Sequence, residues 1–298
     1  MTGPLDGRTV VITGASSGIG RIAARELHER GADVVVVGRD PERTRGIAAE
    51  LGARHVLADM DRLEEVRQLA ATLLETCPRI HVLALNAGSL VPRRTTTVDG
   101  HETTFQRNVL APFLLTHLLL PRLEDTQAAL RADESPVRVI GTASRANLWG
   151  RVRLDDLDWR KRPWLGGWQA YGTSKAMMIL MMRTLAERVG PRGIEAVSFH
   201  PGLVRTSFGS DSTVMRALLA LSMGAYGISA EAGAVPLVQL ASVPDLGAPN
   251  GTYFDQLTPD GRTTAQAADR QLGRDLWAVL ELAAGVDGSA AVDGSARA

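Results

Sequence analysis

The chain has 298 residues, 45% of them hydrophobic and 22% charged, with 33 Lys+Arg balanced by 33 Asp+Glu. That length suits one large α/β domain or two small ones, and zero net charge gives no basis for nucleic-acid binding, which leaves a basic excess. The single cysteine, Cys77, cannot form an internal disulfide and fits a reducing cytoplasm; with six scattered histidines it offers no metal-ligand spacing, so no metal is expected.

The opening MTGPLDGRTVVITGA lacks the basic-then-apolar order of a signal peptide. The longest apolar runs, NVLAPFLLTHLLLP and AMMILMM, fall short of the ~20 residues that span a bilayer, so no membrane anchor is expected. Six short β-branched runs read as buried strands: 8–14, 32–38, 53–58, 80–86, 137–144 and 194–200. Between them GRIAARELHERG, DRLEEVRQLAATLLE and SKAMMILMMRTLAERV carry apolar residues at helical spacing. Strand–helix alternation predicts a parallel, doubly wound sheet with helices on both faces, an α/β fold. No linker divides residues 1–285, which read as a single domain. The end, VDGSAAVDGSARA, holds the pentapeptide VDGSA twice and reads as a flexible low-complexity tail over 286–298.

The first strand runs into TGASSGIG (13–20). Gly14, Gly18 and Gly20 allow a tight turn, and with Ser16, Ser17 and Ile19 they open a helix whose free N–H groups suit a phosphate. The spacing differs from the usual dinucleotide fingerprint, and the strand–turn–helix context carries the nucleotide reading. The second strand ends in Gly38-Arg39 with no carboxylate at its tip. Arg39, helped by Arg43, suits the 2′-phosphate of NADP better than Asp40 suits the free ribose of NAD. Asp59, beside Met60, is placed to accept from an adenine amino group, or simply to hold a turn. Asn86-Ala87-Gly88 closes the fourth strand with small residues that let a cofactor ribose approach.

Farther on, Tyr171 and Lys175 stand at i and i+4 on one helical face. Lys175 is one of only two lysines in a chain otherwise furnished with arginine, and it opens the apolar run AMMILMM. A compact ammonium beside a phenol lowers the phenol pKa toward a working range. Burying that amine without a task would be costly.

These motifs together resemble the short-chain dehydrogenase/reductase family: TGASSGIG, Asn86-Ala87-Gly88, Asn108 in FQRNVLAPFLLT, Ser144 in VIGTAS, Tyr171-x-x-x-Lys175 and HPGLVRT at 200–206, in family order over about 190 residues. TVDGHETTFQRN, the stretch RLDDLDWRKRPWLGGWQAY, GTYF at 251–254 and the late LW at 276–277 resemble its retinol-dehydrogenase-like branch. The resemblance implies one Rossmann-type domain with a mostly parallel seven-stranded sheet. It implies Tyr171 as general acid or base, Ser144 as the donor to the reacting oxygen, and Lys175 as the residue that lowers the Tyr171 pKa and binds ribose. Asn108 would kink its helix and hold a relay water. Pro201, Gly202, Val204 and Thr206 would line the nicotinamide. Homodimers or homotetramers through the helices bearing Asn108 and Tyr171 are implied as well, unless those helices are simply buried on the sheet.

Ser144 and Tyr171 are 27 residues apart, about twice the usual family spacing, which reads as an inserted loop over 146–170. Residues 145–170 contain no Ser or Thr, so Ser144 is the nearest upstream hydroxyl, with Thr142 a distant second. Trp149, Trp159, Trp164 and Trp168, four of the five tryptophans, lie in that loop. With an expected substrate lid over 207–228, they point to a lipophilic or aromatic carbonyl or alcohol, unless they only pin the loop. LDDLDWRKR reads as a solvated charged stretch. The leading expectation is an NADP(H)-dependent oxidoreductase; the alternatives are an NAD(H)-dependent alcohol dehydrogenase or a catalytically silent nucleotide sensor on the same fold.

Overall fold

The computed structural model describes residues 3–204 and 227–286. Seven parallel strands form one sheet in the order β3-β2-β1-β4-β5-β6-β7. They are β1 (Thr9–Thr13), β2 (Asp33–Gly38), β3 (Arg54–Leu57), β4 (Val82–Leu85), β5 (Arg138–Thr142), β6 (Glu195–His200) and β7 (Tyr253–Asp255). All six strands read from the sequence are present, and the sheet is wholly parallel. The strand order reverses between β1 and β4, so their carboxyl ends open the crevice where ligands of such sheets bind.

Alternate residues of each central strand feed two cores. Val11, Val35 and Leu83 join one, while Val10, Ile12, Val34 and Val36 join the other. The first is covered by α3 (Leu63–Thr76), α5 (Ala111–Ala128), α6 (Trp168–Val189) and α8 (Arg270–Ala284); the second by α1 (Gly18–Glu29), α2 (Pro41–Leu51) and α7 (Ala230–Ser242). β3 departs from the buried expectation. It is an edge strand, and His55 and Leu57 face outward while Arg54 and Val56 are half covered.

α6 is buried on nearly every side, from Ala170 to Met182, because the sheet lies on one face and α8 on another. Gly141 of β5 lets it approach, since a Cβ there would stand 2.7 Å from Met178 Sδ. Trp277 of α8 meets Phe113 of α5 edge-on at 4.9 Å, and the Arg188 guanidinium covers its other side at 4.6 Å. The apolar runs offered for self-association are thus consumed inside the chain. Among the described residues no helix is long and apolar enough to cross a membrane.

At the opposite end from the crevice, Arg138 is 1% exposed. It donates to Glu195 Oε2 (2.6 Å), to the Leu240 carbonyl (3.1 Å), to the Pro244 carbonyl (2.9 Å) and to that of Val243, closing the C-terminus of α7. Removing one partner of a buried ionic cluster leaves the others unpaired. Arg138→Met is therefore expected to lower unfolding free energy by about 3 kcal/mol in urea titrations, with nucleotide affinity, expected at the other end of the strands, unchanged.

Candidate active site at the carboxyl ends of the strands

β1 delivers the chain into Gly14 at φ +68°, and Gly18 stands at φ +52°, a region that disfavours side chains. A Cβ on Gly14 would lie 2.9 Å from Ala87 Cα, and one on Gly20 would lie 2.4 Å from the Gly14 carbonyl oxygen. The turn therefore closes only because both are glycine. Ser17 begins α1 without making a side-chain cap, and the first turn carries no acidic residue. The helix presents free N–H groups and an unneutralised dipole end, the donor set a nucleotide diphosphate requires. Ser16 sits beneath the second strand, where a Cβ on Gly38 would meet its side chain at 2.9 Å.

Thr13 Oγ1 accepts from the amides of both Asn86 and Ala87 at 3.0 Å, a positioning bond the sequence reading missed. Its only sequence signal is a hydroxyl at the last position of β1. Asn86 Nδ2 returns to the Thr13 carbonyl at 3.1 Å, locking the β4 exit to the glycine turn.

At the tip of β2, Arg39 is 61% exposed and lies 3.7 Å from Asp59 Oδ1 and 3.8 Å from Asp61 Oδ2, loose pairs that leave its guanidinium available. Asp40 is occupied: its carboxylate accepts from the Arg43 amide at 2.9 Å and caps α2. Asp59 holds a turn, accepting from the Asp61 amide at 3.1 Å. The Met60 side chain is in the core, so only its backbone faces the crevice side of that turn. Arg107, also missed, is half-buried and grips Asp61 with two nitrogens and Ser89 Oγ at 2.5 Å. It ties the β3 and β4 exits to the helix of Asn108.

That helix is interrupted. A short α4 (Thr103–Phe105) passes into a π-helical segment, Gln106–Leu110, before α5, and the wider turn centres on Asn108. Asn108 Oδ1 accepts from the Ser89 amide, and Nδ2 donates to the Ser89 carbonyl and to Ser174 Oγ, each at 3.0 Å. Ser174 in turn donates to the Tyr171 carbonyl at 2.7 Å. So Asn108 and the first turn of α6 form one unit, through a serine inside the Tyr–Lys motif that the motif reading passed over.

Tyr171 and Lys175 are both buried. Lys175 Nζ donates to the Thr142 carbonyl at 2.8 Å, lies 5.5 Å from the Tyr171 ring centre, and faces Gly88, where a Cβ would come to 3.3 Å. Burial lowers its pKa from 10.5 to about 8. Burial raises the Tyr171 pKa, opposed by a hydrogen bond from the side chain of Ser144. In the protein alone, then, desolvation outweighs the Ser144 hydrogen bond, and the phenol stays protonated at neutral pH; the lowered pKa anticipated from the Tyr–Lys pair is not reached by the chain alone. The distant Ser144 does meet Tyr171, in preference to Thr142.

The tryptophans of the insert divide. Trp159 is buried, stacked under the Arg162 guanidinium at 3.5 Å and edge-on to Trp164 at 6.2 Å. Trp164 Nε1 bonds the Pro92 carbonyl at 2.9 Å. Both pin the loop. Trp168 instead packs with Leu90, Ala146 and Tyr171, forming an apolar wall at the phenol, while Trp149 is exposed. The charged stretch is not wholly solvated: Asp156 is buried, accepting from the Arg160 amide (2.6 Å), the Lys161 amide (3.0 Å) and Arg162 Nε (2.9 Å).

Beyond β6, Gly202 adopts φ +97°, and Val204 bridges to Ile228. A Cβ on Gly233 of α7 would fall between Val204 and Ile19, so this loop and the glycine turn meet over α7. Pro201 is half-buried next to them. Thr206 and lid positions 207–226 lie outside the described residues, as does the tail from 287. The residues present thus fit a dinucleotide: a phosphate-ready helix end, an exposed, loosely paired arginine at the β2 tip, and a lysine buried beside small residues.

At about 1.4 kcal/mol per pH unit, moving the Lys175 pKa from 10.5 to about 8 costs the fold roughly 3 kcal/mol below pH 8. Between those values the unfolded chain binds the extra proton, so this penalty fades as pH rises toward 10.5. Lys175→Met should therefore be the more stable protein at neutral pH in denaturant titrations without nucleotide, with the gap to the wild type closing as pH approaches 10.

The sequence profile of the short chain dehydrogenase family matches residues 8–148 and 163–216. DnrU of Streptomyces sp. (strain C5), named as a candidate daunorubicin C-13 ketoreductase, is 41% identical over 291 residues, covering 95% of this chain and 94% of its own. Human retinol dehydrogenase 13 is 33% identical over 288 residues, covering 92% and 83%. A crystal structure of an uncharacterised Mycobacterium paratuberculosis protein superposes with a TM-score of 0.75 at 31% identity, covering 95% of each chain. The chain belongs to the short-chain dehydrogenase/reductase family, in its retinol-dehydrogenase-like branch, and is an NAD(P)-dependent oxidoreductase acting on CH–OH or C=O groups.

Proposed function

We propose that this protein interconverts a carbonyl and an alcohol on a lipophilic or aromatic small molecule with NADP(H), and that Tyr171 is its general acid and base. The observation that carries this reading is the Tyr171 hydroxyl held by the Ser144 side chain, against an apolar wall of Leu90, Ala146 and Trp168. When bound, the nicotinamide group supplies or accepts the hydride. Gly14, Ser16, Ser17, Gly18, Ile19 and Gly20 would hold its diphosphate, and Arg39 the 2′-phosphate. Asp59 and the Met60 backbone would meet the adenine. Asn86, Ala87, Gly88, Tyr171 and Lys175 would take the ribose, and Pro201, Gly202, Val204 and Thr206 the nicotinamide.

In reduction, a protonated phenol in a dry environment is the right starting state for a proton donor. Ser144 Oγ accepts from the Ala146 amide at 3.1 Å, and the proton it directs at Tyr171 in the protein alone would turn to support the reacting oxygen once substrate is bound. Lys175 directs one N–H to Thr142, and its others remain to bond ribose and to offset charge on Tyr171 as its proton leaves. Asn108, tied to Ser174 and Ser89, holds the helix geometry beside that ammonium and would seat a relay water there. The apolar wall supports a lipophilic substrate, in keeping with relatives named for daunorubicin and retinol.

A screen of lipophilic aldehydes, ketones and alcohols, including retinal, daunorubicin and phenanthrenequinone, followed by NADPH absorbance, should find turnover among them; activity confined to small polar carbonyls would reject the substrate class. In that assay Tyr171→Phe should lose at least about 100-fold in rate while binding NADPH with affinity within a few-fold of wild type; an active Phe variant would rule out the proposed acid. NADPH should bind tighter than NADH, and Arg39→Asp should reverse the order. Unchanged selectivity in that variant would move the phosphate contact elsewhere.

A further inference from the structure

Ser144 stands two residues before the insert over 146–170, yet its hydroxyl has to stay on Tyr171. The main chain here is tied down by Asn147, which is fully buried. Its amide donates to the Ser144 carbonyl at 3.0 Å, and its Nδ2 donates to the same carbonyl at 2.8 Å and to the Arg262 carbonyl at 3.4 Å. Asn147 thereby ties the Ser144 carbonyl to the segment that follows β7. A buried amide left without these acceptors, or a carbonyl left without its donor, is costly.

The same two chain segments are joined on either side of this contact. Arg145 makes a two-pronged ion pair with Asp255, at 2.6 to 3.1 Å. Val152 exchanges two hydrogen bonds with the Gln266 side chain, both 3.0 Å. On the opposite side the segment is pressed onto α6 without a gap. A Cβ on Gly150 would stand 2.5 Å from the Gly172 carbonyl oxygen, and one on Gly172 would stand 2.5 Å from that of Ala146. Gly172 directly follows Tyr171.

We propose that Asn147 is a positioning residue that holds Ser144 on Tyr171 through the Ser144 main chain, so that the segment from β7 to Arg262 belongs to the catalytic framework. This rests on the role given to Ser144 above. The hydroxyl of Ser144 is set by two things: the carbonyl fixed by Asn147 and the Ala146 amide fixed by the packing on Gly172.

The test is a double-mutant cycle with phenanthrenequinone and NADPH, reading kcat and KM, with NADPH affinity measured separately by fluorescence. Asn147→Ala is expected to lower kcat about 10-fold and Asn147→Asp, which keeps the volume but not the Nδ2 donor, about 5-fold, with KM for NADPH and its affinity within twofold of wild type. In a Ser144→Ala background both losses should shrink below about twofold, because the group they position is gone. Equal losses in the two backgrounds, or wild-type kcat in both single variants, would overturn the proposal. Asn147→Asp keeps the size of the side chain, and it decides the matter alone should Asn147→Ala fail to bind NADPH. Full activity of Ser144→Ala would be a different failure: it would withdraw the role of Ser144 itself.

Discussion

The placement of a lysine ammonium inside the protein is the constraint around which this site is arranged. Desolvation works against Lys175 by several kcal/mol, so the surroundings have to supply a carbonyl for one N–H and keep room for the others. Thr142 does the first from the end of β5, and the missing side chain of Gly88 does the second. The helix that carries the lysine cannot shift to relieve it, because α6 is enclosed by the sheet, by α8 and by the segment after Ser144. Charge next to a phenol is therefore maintained by the packing of a large part of the molecule rather than by local pairing with a carboxylate.

Much of this was legible in the sequence because the signals are local. β-branched runs between helical patterns give six strands, and the parallel order follows from chain connectivity. Gly14, Gly18 and Gly20 are readable since each marks a backbone geometry or an approach that a side chain would block. Tyr171 and Lys175 are readable from their spacing and from the rarity of lysine. Ser144 is legible from the family resemblance and as the nearest upstream hydroxyl across the insert, and its meeting with Tyr171 depends on strand β5 and on contacts with residues more than a hundred positions later.

What escaped was of that long-range kind. Thr13, Ser174, Arg107 and Asn147 are ordinary residue types whose importance comes from what folding brings beside them. The edge position of β3 and the cover that α8 gives to α5 and α6 are likewise properties of the assembled layers, invisible in the apolar count of any one segment. Asp156 shows the same limit in reverse: a stretch of mixed charges reads as solvated until the loop closes and three donors gather on one carboxylate. The tryptophans obeyed no single rule, because two brace the loop and one faces the phenol.

The insert is anchored at both ends. Gly150 is seated on Gly172, and Gly167 fits against the Trp164 ring and the Val91 carbonyl, where a Cβ would stand 2.2 Å away. Between these posts the span is held as well, by Val152 to Gln266, by Asp158 to the Glu102 amide and by Trp164 to the Pro92 carbonyl. The added chain between the serine and the tyrosine is therefore absorbed as fixed structure, and its length does not loosen the pair it separates.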